Sequence, residues 1–297
     1  MAQVNYSEIR ATKAEKRKNS QWLAAFRRFK KKRLAVFGVG IVVFMIFVAI
    51  LAPLLAPYPY DEQHLADSLL APCIRYPFGT DIYGRCILSR VIYGARVSLV
   101  VGVVAVSMGA IVGCTLGIIA GYFGGVVDNV IMRIVDVILS IPSMLLAISI
   151  SAMLGSGLFN AMVAISIHGI GTYARISKAA VLTVRDQEYV EAVRALSASH
   201  FRIIMKHIFP NMMAPLIVQF TLNIASSVMA ASGLSFVGLG IQPPTAEWGS
   251  MLAAGREYIR FNYWLTAFPG LAIMLTIYGF NLMGDGLRDA LDPRLKD

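Results

Sequence analysis

The sequence predicts an all-α polytopic membrane protein with six transmembrane helices, and three observations carry that expectation. Of its 297 residues, 57% are hydrophobic and only 15% are charged, against roughly 25% charged in an average soluble domain. Five stretches, residues 34–56, 97–127, 137–174, 208–246 and 261–284, contain no Asp, Glu, Lys or Arg, and a spanning helix needs about 20 apolar residues. Residues 137–174 are long enough for two spans, with Gly155-Ser156-Gly157 as the turn between them, and residues 208–246 hold one span followed by a Gly- and Pro-rich tail. Finally, with the N-terminus inside, 21 of the 27 Lys and Arg residues fall on the cytoplasmic side and 6 outside. Basic residues are retained on that side, so both termini are expected in the cytoplasm.

Residues 1–33 form a basic cytoplasmic N-terminus. Trp22, Phe26 and Phe29 share a helical face amid Arg27, Arg28 and the run Lys30 to Arg33, which predicts an interfacial helix on anionic membrane lipids. The first apolar run, 34–56, starts too deep and is too long for a cleavable signal peptide, so it reads as an anchor. Residues 57–96, opened by Pro53, Pro57 and Pro59, are an external segment. It ends in an amphipathic helix with Ile87, Leu88, Val91, Ile92 and Ala95 opposite Arg85, Ser89 and Arg96, expected along the outer surface.

The core, residues 97–287, follows. Gly121, Gly124 and Gly125 permit a tight cytoplasmic turn, Asp128 is placed to cap the next helix, and Arg133 and Asp136 are i,i+3 neighbours. His168, beside Gly169 and Gly171, reads as a hydrogen-bonded structural residue near a helix end. The core includes a cytoplasmic loop, 185–210, and an external loop, 236–262, where Gly238 and Gly240 allow close backbone approach, Pro243-Pro244 stops a helix and Trp248 suits a membrane interface. In the cytoplasmic tail, 288–297, and just before it, Asp285, Asp289 and Asp292 share a face. Arg288 and Arg294 beside them point to a salt-bridged helix end and away from a cation site.

Composition excludes several function classes. The net charge of +10 concentrates beside the first span, a topology signal and not a nucleic-acid footprint. Three cysteines and four scattered histidines (64, 168, 200 and 207) give no metal-ligand spacing, so no metal or cofactor is expected. Cys73 and Cys86 share the external segment, where either a disulfide or two free thiols is possible. No G-x-x-x-x-G-K-[ST] loop occurs. With no paired acids, His cluster or nucleophile elbow, an enzyme is not expected. A stand-alone channel or secondary transporter would place ionisable residues at mid-span, which the charge-free stretches oppose.

One polar insert breaks the apolar pattern: EYVEAVRALSASHFRIIMKHIFPN, residues 188–211. Tyr189, Val193 and Leu196 recur at helical spacing. After Ser197-Ala198-Ser199, Phe201, Ile204 and Ile208 do the same until Pro210. Two short amphipathic helices at an angle make a docking wedge. The insert resembles the cytoplasmic signature of ABC importer permeases, with Glu191, Ala192 and Pro210 in register. Val193 stands for the third residue of Glu-Ala-Ala, Ser197 for a Gly and Phe209 for the Leu before Pro. That Gly can take a left-handed turn at little cost and Ser cannot, so the bend between the two helices is the departure that matters.

Two further motifs resemble the peptide and nickel branch of these permeases. FGTDIYGRCILSRVIYGAR matches at Phe78 to Asp81, Gly84, Arg85, Ser89, Arg90 and Tyr93 to Arg96, with Cys86 replacing an acid; LSFVGLGIQPPTAEWGSML follows the pattern at 234–252, with Val237 and Ala246 as mild departures. GYFGGVVDNVIMRIVDVILSIP and the C-terminal NLMGDGLRDALDPRLKD follow the same pattern.

The chain is identified as similar to the second, DppC/OppC-like permease of a bacterial peptide importer. The resemblance implies a type I importer fold with cytoplasmic coupling helices and an inner-membrane location. It also implies, as partners, a second homologous permease, two ABC ATPase subunits that hydrolyse ATP, and an extracytoplasmic solute-binding protein. It assigns ATPase coupling to Tyr189, Glu191, Ala192, Ser197, Phe201 and Pro210. Asp81, Arg85, Gly238, Gly240, Glu247 and Trp248 would then either meet the binding protein or pack the bundle. The implied solute is a di- or oligopeptide, with a nickel complex or glutathione as alternatives.

Overall fold

The computed structural model describes residue 23 and residues 26–291. Trp22, Asp292 and Arg294 lie outside the described residues. Residues 26–31 are helical, with Phe26 exposed and Phe29 half-buried, and Lys32 pairs with Asp289. Helix α1, Arg33–Ile50, continues into one helical turn, Ala52–Leu55, with Pro53 in its first positions. Helix α2 is Ile87–Phe123, α3 is Gly125–Ser140, α4 is Ser143–Leu154 and α5 is Leu158–Arg185. The insert supplies α6, Glu188–Ala195, and α7, His200–Ile203. A π-helical stretch, Ile204–Ile208, then leads into α8, Phe209–Phe236. Two more helices complete the chain, α9, Trp248–Gly255, and α10, Trp264–Leu291.

Among the described residues, four helices are individually long and apolar enough to cross a membrane: α1, α2, the run His200–Phe236 and α10. The pair α3 and α4, bent by 93°, is apolar and long enough for a fifth crossing when taken as one broken span. Its bend sits at Pro142, which has no N–H to donate and biases Ile141 away from helix. Alone, the 12 residues of α4 reach only about 18 Å, short of the ~30 Å hydrocarbon core. The sixth element, α5, is charge-free only to residue 174 and then carries Arg175, Lys178 and Arg185. Its 28 residues and its burial against α2 place it in the bundle, not its composition.

The packing of α2 on α5 is the most extensive in the molecule, and a stripe of glycine accounts for it. Gly109, Gly113, Gly117 and Gly121 recur every fourth residue and are buried, so they lie one above another on one face. A Cβ added at Gly113 would sit 2.4 Å from the Ile170 carbonyl oxygen, and one at Gly117 2.3 Å from that of Ala174. Without a hydrophobic drive between helices in lipid, such backbone contact is what joins them. Gly121 was read as part of a turn; it is helical and buried here, and the turn falls on Gly124 and Gly125, both at positive φ.

Antiparallel α1 and α10 approach in the same manner, Gly38 against Leu282 and Gly286 against Ala35. Asp128 caps nothing, since the N-cap of α3 is Gly124. It pairs instead with Lys178 at 2.6 Å, as Asp136 does with Arg175 at 2.7 Å, and both pairs hold α3 along α5. His168 lies inside α5, away from its ends, and its Nδ1 has no hydrogen-bond partner among the described residues.

Candidate functional site

Residues 57–86 and 237–262 cover one end of the bundle, and residues 186–208 occupy the other. The wedge end is built on two buried anchors, Val190 on α6 and Ile203 on α7, both fully covered, with Ile208 covered beneath them. Val193 is half-buried beside Val190. Of the apolar face Tyr189, Val193 and Leu196, Tyr189 is 43% exposed and Leu196 82%, and in the second helix Phe201 is 74% exposed. Glu191, Ala192 and Ala195 are exposed too. A short helix resting on Val190 can bury only one narrow side, which leaves an apolar strip facing away from the bundle.

The bend between α6 and α7 is a Schellman turn. Ser197 N–H donates to the Arg194 carbonyl at 3.0 Å and Ala198 N–H to the Val193 carbonyl at 3.4 Å, the two bonds that define the motif. Ser197 adopts φ +57, so it occupies the left-handed position that glycine fills most cheaply. The hydroxyl of Ser199 then caps α7 by accepting from Arg202 N–H. The left-handed region costs an L-residue about 1–2 kcal/mol, and a glycine gives back about 0.4–1 kcal/mol of that through the unfolded chain. Ser197→Gly is therefore expected to match or slightly exceed the parent in thermal unfolding, whereas Ser197→Val, β-branched at positive φ, should lower it. Equal melting of parent and Val variant would show that the turn is not held in this form.

Pro210 stands in the first turn of α8, where its missing N–H leaves the preceding helix one bond short. The π-helical stretch just before it absorbs the mismatch. Asn211 Nδ2 donates to the His207 carbonyl at 2.7 Å and to the Tyr189 hydroxyl at 3.2 Å, tying α8 to α6.

The wedge also holds the end of α2. Arg185 Nη1 donates to the Gly121 carbonyl at 2.8 Å, the Tyr122 hydroxyl and His200 Nδ1 share a hydrogen bond of 2.8 Å, and the Arg194 guanidinium lies 5.9 Å from the Tyr122 ring centre. Tyr122 is 7% exposed. No sequence pattern singled out Tyr122 or His200, because the hydrogen bond joins residues 78 positions apart.

At the other end, the two matched motifs form one interlocked cap. Asp81 accepts from Arg85 Nε at 2.7 Å and from the backbone N–H of Tyr83 and Arg85. Arg90 reaches the Tyr60 carbonyl at 3.0 Å and that of Pro244 at 3.4 Å. Gly79 and Gly84 have positive φ, and a Cβ at Gly84 would meet the His64 carbonyl oxygen at 1.8 Å. Only glycine fits there. Trp248 Nε1 donates to the Val91 carbonyl at 3.0 Å, over Gly94, where a Cβ would come within 2.7 Å of the indole. Phe78 stacks on Phe268 at 3.8 Å.

Several expectations for this end change. Residues 87–96 are the first turns of continuous α2 and not a separate surface helix; Ser89 and Arg90 are buried, with Ser89 accepting from Tyr58 N–H at 3.1 Å, while Arg96 is exposed. Asp81, Arg85, Glu247 and Trp248 are all buried, so their side chains build the cap, and Trp248 is no interface anchor. Glu247 caps α9 through Gly249 and Ser250 N–H, each at 2.8 Å. Burial pushes its carboxyl above the usual range against the pull of those bonds. Gly240 is buried against Ser235, and Gly238 is exposed at φ +87.

Cys73 and Cys86 are separate thiols. Cys86 is buried at the start of α2 with its backbone paired to that of Thr80, while Cys73 is exposed and its Sγ accepts from Tyr76 N–H at 3.4 Å.

Residues 113–297 match the family model described as the binding-protein-dependent transport system inner membrane component, and residues 20–72 match that of the N-terminal transmembrane domain of oligopeptide transport permease C. The chain belongs to this permease family. It is similar to the dipeptide transport system permease protein DppC of Alkalihalophilus pseudofirmus, at 46% identity over 93% of this chain and 91% of the relative. Similarity to the di/tripeptide permease DppC of Pseudomonas aeruginosa is 44% over 92% of each. The glutathione transport system permease GsiD of Escherichia coli is also 44% identical, over 93% and 91%.

Among solved structures, an inward-facing MetNI methionine ABC transporter chain aligns with TM-score 0.57 at 20% identity, covering 69% of this chain and 98% of that one. An amino acid ABC transporter aligns with TM-score 0.53 at 14% identity, covering 68% and 94%. The permease thus has the type I ABC importer fold and is a multi-pass inner-membrane component of an ABC importer.

Proposed function

We propose that this permease carries di- or oligopeptides from an extracytoplasmic binding protein into a bacterial cytoplasm, paired with a second homologous permease and driven by two ABC ATPases. The observation that carries the solute class is the sustained 46% identity to a dipeptide permease over 93% of the chain. Glutathione is itself a tripeptide, so the glutathione relatives favour the same solute chemistry.

In this reading both termini and residues 185–210 face the cytoplasm, on the asymmetry of basic residues. The wedge, with Tyr189, Glu191, Ala192, Leu196 and Phe201 exposed, seats in a groove of one ATPase. Closure of the ATPases on ATP draws the two wedges together. Ties from Arg185 and His200 to the end of α2, and from Asn211 on α8 to Tyr189 on α6, make the wedge and its flanking helices move as one body. Two rigid-body states biased by ATP are enough to open the pathway outward and reset it. Selection of solute rests with the binding protein.

The test is reconstitution of the complex, with the ATPases, permease and binding protein encoded beside this gene, in proteoliposomes. Labelled dialanine should accumulate only with ATP and binding protein present. Uptake without ATP, or failure of the permease to copurify with an ATPase, would remove the proposal.

A further inference from the structure

We propose that Gln219, Asn223 and Ser226, at mid-length of α8, line the solute pathway and hydrogen-bond the backbone amides of the passing peptide. This deepens the peptide reading above and rests on it.

The three residues fall at i, i+4 and i+7, a single stripe of the helix. Gln219 and Asn223 are half-exposed, and Ser226 is exposed. They are the eleventh, fifteenth and eighteenth residues of Phe209–Phe236. At 1.5 Å per residue that is about 15–26 Å from its start, close to the middle of a span.

Helix α1 shows what a lipid-facing stripe looks like here. Along α1 the exposed side chains include Val36, Phe37, Val43, Phe44 and Phe47, all apolar. An amide turned to hydrocarbon in the same way would lose its water partners at a cost of several kcal/mol. Polar side chains at such depth face a bundle interior or a water-filled cavity, so the polar stripe of α8 marks the side of the bundle that meets water.

Its chemistry points to the ligand. Gln219 Nε2 donates to Asn223 Oδ1 at 2.8 Å, which fixes the two carboxamides side by side. Left over are the Gln219 carbonyl oxygen and the Asn223 amide, which also approaches the buried Tyr173 hydroxyl; with two N–H groups the amide keeps one for a ligand. That is a donor and an acceptor together, the complement of one peptide bond, which offers one C=O and one N–H. The stripe carries no charge, so it has nothing to hold a peptide's termini by ion pairing. It reads the backbone and leaves side chains unread, as a pathway for many sequences requires.

The experiment uses the complete complex in proteoliposomes, with labelled dialanine as the probe. Gln219→Leu and Asn223→Leu should each slow uptake about tenfold, the effect of losing one buried hydrogen bond, with partner subunits copurifying in parent ratio. Asn223→Gln keeps an amide and should recover most of the rate. With the three native cysteines replaced by Ser, Asn223→Cys in the assembled complex should react with a charged, water-soluble thiol reagent. A parent complex that carries no dialanine removes the peptide reading and this subsite with it. A parent that carries dialanine while both Leu variants keep pace, or an Asn223→Cys that stays unlabelled, removes the subsite and leaves the peptide reading standing.

Discussion

Gly117→Leu, alone or combined with Gly113→Val, is expected to abolish folded permease in the membrane. A Cβ at Gly117 would lie 2.3 Å from a carbonyl oxygen of α5 and 2.7 Å from Ser177 Cβ, and at Gly113 it would lie 2.4 Å from the Ile170 oxygen and 2.7 Å from Tyr173 Cβ. These obstacles are backbone and first side-chain atoms, which no rotamer change relieves. Overpacking a core costs about 1–3 kcal/mol where side chains can shift, and more where they cannot. Two such sites one turn apart approach the whole stability of an ordinary domain, roughly 5–15 kcal/mol. Gly40 is the control, because nothing lies within 4 Å of a Cβ added there, and Gly40→Ala should leave the melting temperature unchanged or higher. The readouts are the yield of monodisperse protein in mild detergent and its thermal unfolding. A Gly117→Leu variant that melts with the parent would mean that α2 and α5 do not meet along the glycine stripe.

That stripe was legible as spacing, one glycine at every fourth residue from 109 to 121, yet the three glycines at 121, 124 and 125 drew attention to the turn instead. Apolar runs and the distribution of Lys and Arg are properties of single segments, which is why the membrane-spanning elements could be read without coordinates. Burial of a polar residue is a property of its distant neighbours. Asp81, Arg85, Ser89 and Glu247 look like a polar surface in sequence, yet all are enclosed: Ser89 is met by Tyr58 from 31 residues away, Glu247 by a helix terminus, and Asp81 and Arg85 by each other. The same limit explains the wedge. Helical spacing in 188–208 gives the period alone, and which side is covered is set by the floor on which Val190 and Ile203 rest. Ser197 shows the converse: the place where its sequence departs from the resembled pattern marked the left-handed turn in advance.

The second large effect concerns coupling. Ala192 and Glu191 lie on the exposed side of α6, beside Leu196 at 82% exposure and Phe201 at 74%, and neither makes a contact on which the permease's own fold depends. Ala192→Trp would place a large ring where the proposed ATPase groove comes closest to the helix, and Glu191→Lys would reverse the charge there. A clash or a like-charge contact at an interface costs several kcal/mol, and each 1.4 kcal/mol is tenfold in affinity. Both variants should therefore insert and purify normally while the ATPases are lost from the complex. Dialanine uptake in proteoliposomes should fall by about two orders of magnitude on the same arithmetic, and the stimulation of ATP hydrolysis by loaded binding protein should disappear with it. Tyr122→Phe separates docking from transmission. It removes the hydrogen bond to His200 but leaves the exposed side of α6 intact, so the ATPases should stay bound while uptake per ATP hydrolysed declines. If Ala192→Trp and Glu191→Lys both assemble and transport like the parent, residues 188–210 are not where force enters the membrane domain.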